Sequence, residues 1–449
     1  MAATLLFAAL AAFYYVGATE HARVINVSRV RADQSGYLWD AVGVYGGRHG
    51  APAGLIGERN RMPVYPWLLS WLYDPAMTPD QFFLVAKAWN IRLSLVLLVA
   101  MWFMVRRYLP SLASFGFILV VGFGYFIFKA GYAQVELLYY TLFFLTFLAC
   151  CRLIESRGPT ETMVAAIVAG TLAALTHLTK AAVLPLVGCV LTAYGGQAIA
   201  PLIRRARAGS AAPVRAVVLR VCAGALFVVC FLGVLSPYLV NSKRVFGQYF
   251  YNVNTTFYVW YDDWPSAASG TYQHGDGVGW PQMPASEIPT MRSYLRQHSA
   301  RDIAVRIGDG IREMATVSYT RLWYFKWVTM YLLFGVVAVA TTWTDVAGII
   351  RRHAALAVFL LLYAAAYVPA VAFYKPISGT TLRMLLGHVA PVLFVLSYLF
   401  WRTPIRERIW TVAGVQVTVV HFQLLTVATV AFDMAFTLWP RLLADFAGY

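Results

Sequence analysis

The chain has 449 residues, of which 60% are hydrophobic and only 12% charged, with a formal charge of +16. A soluble domain carries about twice that charged fraction, so composition excludes an ordinary soluble enzyme. The Lys and Arg residues form no single stripe, which excludes nucleic-acid binding as the origin of the charge; they sit in short segments between apolar runs, as in a polytopic membrane protein.

Apolar runs of roughly 20 residues are long enough to cross a bilayer as helices. Eleven are expected, near 3–18, 82–105, 110–128, 136–154, 161–178, 181–200, 216–236, 327–343, 354–373, 383–401 and 409–431. The seventh is expected to stop at Ser236-Pro237. The N-terminus lacks a basic n-region and a cleavage site, so it reads as a retained helix rather than a signal peptide. Every second loop is rich in arginine: Arg106 and Arg107; Arg152 and Arg157; Arg204, Arg205, Arg207, Arg215 and Arg220; Arg351 and Arg352; Arg402, Arg406 and Arg408. The positive-inside rule makes that side cytoplasmic. Two long loops, 19–80 and 237–326, then face the other compartment. High Ala and Arg usage suits a GC-rich bacterial genome, so a bacterial inner membrane with the loops in the periplasm is expected.

The outer loops are not disordered in composition. Asp33 to Tyr45 and Val64 to Tyr73 suit short interfacial helices, where Trp and Tyr are at home. The second loop carries an aromatic block, Tyr249 to Trp264, and later the helix-like run MRSYLRQHSARDIAVRIGDGIREMATVSYTRLW. All five cysteines (Cys150, Cys151, Cys189, Cys222 and Cys230) lie in or beside the spans, and there is no CxxC, so neither a disulfide framework nor a zinc site is indicated.

Four groups of residues carry chemistry. Asp33 is an acid near the membrane interface, where a carboxyl can have a raised pKa and act as a general base; it is equally placed to cap a helix starting QSGYLWDAV. Asp40 reads as structural. Glu136, in AGYAQVELLYY, is an acid at the edge of an apolar run, costly unless paired, or a helix-dipole partner of the fourth span. The cations are Arg59 and Arg61 in GERNRMPVYP, Lys180 in THLTKAAVLP, Lys243 and Arg244 in SPYLVNSKRVFG, and Arg383 in SGTTLRMLLGHVAP. Converging at one face, they suit a lipid-linked phosphate, with Arg as a fork and Lys as a point charge; singly, each reads as a snorkelling side chain. Tyr258 and Trp260 offer flat faces for sugars or belong to an interfacial aromatic belt. His274 with Asp276 reads as a turn rather than a metal site.

In order, these pieces resemble the GT-C superfamily of polytopic glycosyltransferases, the group with the protein mannosyltransferases and the lipid A aminoarabinose transferases. Asp33-Gln34-Ser35-Gly36-Tyr37 with Ala41 resembles its D-x-x-x-Y-x-x-x-A first-loop signature. Arg61-Met62-Pro63-Val64-Tyr65-Pro66 is similar to R-x-P-x-Y-P, and Leu178-Thr179-Lys180 to an L-T-K between spans. Pro237-Tyr238, Asn241 and Phe246-Gly247 resemble P-W-x-x-R-N…G, and Arg383 with Pro391 a late R…P pattern. The departures are Gln34, where relatives have a second acid, Tyr238 in place of Trp, and the shifted basic residues after Asn241.

The resemblance implies an all-α polytopic membrane fold of the GT-C type, an N-terminal module over 1–200 with the catalytic first outer loop followed by a variable module over 201–449 with the large outer loop. It implies a polyprenyl-phosphate sugar as donor and a glycolipid, glycan or protein as acceptor. Asp33 and Glu136 would be catalytic. Arg59, Arg61, Lys180 and Arg383 would bind the donor phosphate. Tyr37, Tyr65, Lys243, Arg244, Tyr258, Trp260 and His388 would contact substrate. The scheme needs no cofactor and no metal, and a monomer in the bilayer suffices. The rival reading is a transporter or flippase of a lipid-linked or anionic solute.

Overall fold

A computed structural model describes residues 2–50, 61–208, 214–273, 284, 286–379, 381–412 and 414–444. Among them, eleven helices are long and apolar enough to cross a membrane: Thr4–Val24, Pro79–Arg106, Ser111–Ala130, Glu136–Glu155, Pro159–Thr179, Ala181–Ala200, Val214–Phe246, Leu322–Thr341, Ala354–Ser378, Leu382–Arg402 and Val419–Phe436. They make the chain an integral membrane protein and match the expected spans in number and order. Helices are the natural solution because every backbone donor and acceptor is satisfied within the span.

The two largest differences from the expected boundaries are at the seventh and the last spans. The seventh helix does not stop at Pro237 but continues to Phe246. One missing backbone donor is tolerated because the flanking turns remain bonded. The last span begins at Val419 rather than near residue 409, because Trp410–Val412 and Val415–Val417 pair as an antiparallel hairpin. The β-branched residues of TVAGVQVTV suit a strand, and Gly414 supplies the positive φ of 79° at the turn. Thr418 then caps the last span in a capping box with His421.

Contacts sort the span ends into two faces. On one, His21 bonds the carbonyl of Leu442, Asp33 meets Arg383, and Glu136 meets Lys180. On the other, His353 meets Glu155, Arg402 reaches the carbonyl of Tyr108, and Arg220 bonds the carbonyl of Gln197. The first face carries both long loops and is termed the loop face; the second is the arginine face. The third and fourth spans are central, with 78% and 72% of their most apolar windows buried, whereas the seventh, at 17%, is peripheral.

The described parts of both loops form short helices on this frame. The first contains helices Gln34–Arg48 and Val64–Ser70, with Trp39, Trp67 and Trp71 exposed as interfacial aromatics would be. In the second, Met291–Gln297 and Ala300–Thr320 each begin with a capping box, at Thr290 and Ser299. Ala300–Thr320 lies along the ninth span, and Gly310 meets the backbone of Ala372 so closely that a Cβ would not fit. Arg306 fixes this layer, donating to the carbonyls of Phe373 (2.9 Å) and Val259 (3.1 Å) and to the hydroxyl of Tyr294 (2.9 Å).

Candidate functional site

The site is built where two connections are stitched together. Gln34 and Asn26, both fully buried, exchange amide hydrogen bonds of 2.8 Å in each direction. The Gln34 amide oxygen also accepts from the Ala133 N–H at 2.8 Å, and Asn26 donates to the Gly131 carbonyl at 2.8 Å. Gln134 donates back to the carbonyl of Ala32. Asn90 donates to the carbonyls of Ala130 and Tyr132, and Lys87 to those of Ala22 and Asn26. The segment before Gln34 is thereby locked to the turn before Glu136. Gln34 commits its whole amide to this clamp.

Beside the clamp the backbone is strained. Ala32 and Asp33 have φ values of 63° and 65°, two consecutive non-glycine residues in the left-handed region, each costing on the order of 1–2 kcal/mol. Asp33 occupies the N-cap position of Gln34–Arg48, yet its side chain makes no capping hydrogen bond. It accepts instead from Arg383 Nη1 at 3.0 Å.

Glu136, the first residue of the fourth span and 3% exposed, completes the arrangement. Its Oε1 lies 3.7 Å from Arg383 Nη1 and 3.6 Å from Lys180 Nζ. Its Oε2 is buried without a hydrogen-bond partner. Glu136 is paired with cations and, in the first turn of its helix, also meets the helix dipole. Lys180 reaches it from an extended residue (φ −158°, ψ 130°) between the fifth and sixth spans, with Nζ 5.6 Å from the ring centre of Tyr139. Arg383 is anchored through its own carbonyl, which accepts from Tyr140 at 2.7 Å.

Arg61 flanks the group. Its guanidinium lies 3.5 Å from Asp40, which is buried, and 5.6 Å from the ring centre of Tyr37. Gly36 is required by this approach, because a Cβ there would overlap the guanidinium. Asp40 is thus the buried partner of Arg61. Burial pushes the Asp33 carboxyl up, but the charges of Arg383, Arg61 and Lys180 outweigh it and hold Asp33 below its ordinary value. This corrects the expectation of a raised pKa: Asp33 is an ionised partner of arginine in the ligand-free protein. Burial, with the Glu136 charge, pushes the Tyr37 phenol up, so Tyr37 stays a protonated donor. Tyr65 packs edge-on against Tyr37 at 5.4 Å and donates to Asn90.

Other expected residues lie elsewhere or serve packing. Lys243 and Arg244 are exposed and bond their own helix end, at the Gly247 carbonyl and Asn241. Tyr258 is buried with Phe246, Tyr251 and Ile377, and Trp260 packs on Tyr294 and Phe373, so neither presents an open platform. Arg59, His274 and Asp276 lie outside the described residues. His388 bonds Tyr363 and lines an apolar cavity of about 310 Å³. That cavity follows the tenth span below Arg383 from Leu385 to Leu396, a length of about 16 Å at helical rise.

Two residues escaped the sequence reading. Lys129, 3% exposed in the last turn of the third span, lies within electrostatic reach of Glu136 and Arg383, and of Arg31 and Arg321. Tyr374 lies within reach of Arg383 and Asp33 and donates to Asn254 at 2.9 Å. The available signal for Lys129 was its position just before Glu136; a lone lysine at a span end reads as snorkelling. Tyr374 had no signal, being one tyrosine among 27. Around the acids Asp33, Glu136 and Asp40, cations are in excess, and an anion entering here would meet net positive charge.

No protein family, curated protein or solved structure matches the chain.

Proposed function

We propose that the chain is a membrane glycosyltransferase of the GT-C type, moving a sugar from a polyprenyl-phosphate donor to an acceptor hydroxyl. The observation that carries this reading is the sharing of Arg383 between Asp33 and Glu136, with Lys180 beside them, at the loop-face ends of the spans. The arginine-rich loops are cytoplasmic by the positive-inside rule, so the site faces the periplasm of a bacterial inner membrane.

In this scheme the donor phosphate takes over Arg383 and Lys180. Asp33, released from its ion pair, removes the proton of the acceptor hydroxyl. The hydroxyl oxygen bonds to the anomeric carbon as the anomeric C–O bond breaks, and its electron pair leaves on the polyprenyl phosphate. Attack opposite the phosphate inverts the anomeric centre. Fixed cations stabilise the leaving charge, and the apolar cavity beneath Arg383 takes the donor chain. A transporter would share the cations, but its charged groups belong near mid-membrane rather than at the span ends.

Asp33→Asn is expected to lower transfer by about 10²–10⁴-fold, the range for loss of a general base, while donor binding persists. Arg383→Ala is expected to cost about 2–5 kcal/mol of donor binding, roughly 30-fold or more in Kd. Near-normal turnover of the Asp33→Asn protein would overturn the assignment.

A further inference from the structure

Two carboxylates share Arg383, and they hold their charge on unequal terms. Asp33 has a half-exposed side chain and a hydrogen bond of 3.0 Å from the guanidinium. Glu136 is 3% exposed, so water does little for an anion there. Its Oε1 meets Lys180 Nζ at 3.6 Å and Arg383 Nη1 at 3.7 Å, both beyond hydrogen-bond distance. Its Oε2 is buried with no hydrogen-bond partner among the described residues. The charge of Glu136 thus rests on the same two cations that a bound phosphate would take.

The other titratable groups facing Glu136 do not replace those cations. Tyr37 and Tyr65 face it from the first loop, where burial pushes both phenols up and keeps them neutral. Tyr140, one turn along the same helix, gives its hydroxyl proton to the Arg383 carbonyl. Lys129 acts on Glu136 from the end of the third span. With a phosphate between Arg383 and Lys180, its single charge would face two anions.

We infer that Glu136 takes up a proton as the donor binds and meets the phosphate as a neutral hydrogen-bond donor. The inference rests on the transferase reading, in which the phosphate takes over Arg383 and Lys180. A phosphate held by both cations lies against the carboxyl they share. Two anions there repel each other, and a buried carboxylate that loses its cations exchanges its charge for a proton. That proton comes from solvent, and the resulting O–H bonds a phosphate oxygen. Asp33, open to water, keeps its charge and stays a base. One site then holds an acid and a base set apart by their surroundings. Because protonation accompanies binding, donor affinity rises as pH falls.

The test uses the full chain in nanodiscs and a polyprenyl methyl phosphate, a diester whose single charge is constant with pH. Calorimetry from mildly acid to neutral pH, in buffers of different ionisation enthalpy, reads the protons taken up. The native chain is expected to take up about one proton per diester bound, and to bind about tenfold more weakly for each unit of rising pH. Glu136→Gln, neutral and still a hydrogen-bond donor, should bind with no uptake and with an affinity independent of pH. Asp33→Asn should keep the uptake. Binding by the native chain without uptake would overturn the inference, and that result needs no variant to fold. Uptake that survives Glu136→Gln, or that is lost in Asp33→Asn, would overturn it as well. A diester that does not bind at all would instead contradict the phosphate site, and with it the transferase reading.

Discussion

Ala32 and Asp33 hold a backbone conformation that neither side chain favours, and the clamp of Gln34 on Asn26 and Ala133 keeps them there. The strain turns the Asp33 carboxylate away from the helix it precedes and toward Arg383. Its pKa is depressed, so the stabilising ion pair is fully present above the ordinary aspartate value of about 3.9; it is lost only as pH falls through the lower folded value. The acid limb of kcat/KM, which reports the free protein, should therefore lie below about 3.9. Phosphate on Arg383 removes part of that charge, so the limb in kcat should lie higher. Comparing the two profiles checks the exchange, and a kcat/KM limb near neutrality would contradict it. Gln34→Glu is a second check. A carboxylate there would face the oxygens of Asn26 and Arg31, which now accept from the Gln34 amide at 2.8 and 2.9 Å. The expected cost is at least about 1–3 kcal/mol, read as a lower Tm in detergent; an unchanged Tm would show that the clamp does not hold the loop.

Among the elements, the spans were legible because twenty apolar residues in a row have one solution in lipid. The short loop helices were legible because runs rich in Trp and Tyr beside a span suit helices at the membrane interface. The hairpin at Trp410–Val417 was not: its apolar residues ran on into those of the last span, and only Gly414 marked a turn. Tyr258 and Trp260 were misread for a related reason. An aromatic-rich segment looks the same in sequence whether it faces a sugar or the second loop's own core, and here the core takes it. Arg306 decides that packing. Arg306→Ala would strip donors from the carbonyls of Phe373 and Val259, at roughly 1–3 kcal/mol for each one left buried. Limited proteolysis should then cut the second loop faster while the spans stay intact. Unchanged cleavage would mean that the loop is held by its aromatic contacts alone.

Across the whole molecule, the candidate site belongs to no single segment. Asp33, Glu136, Lys180 and Arg383 come from the first loop and the loop-face ends of the fourth, fifth and tenth spans. Loop charge was enough to put them on one face. It could not give their pairing, because a side chain's partner depends on tertiary packing; nor could it separate Lys243 and Arg244 from the cluster, since they share that face. The account is most exposed in a purified system. The protein is incubated with polyprenyl-phosphate sugars and candidate acceptors, and free polyprenyl phosphate is measured together with sugar on the acceptor. The expected result is equimolar release and transfer by the native chain, both lowered by about 10²–10⁴-fold in Asp33→Asn. Movement of the intact donor across vesicles without cleavage would contradict it.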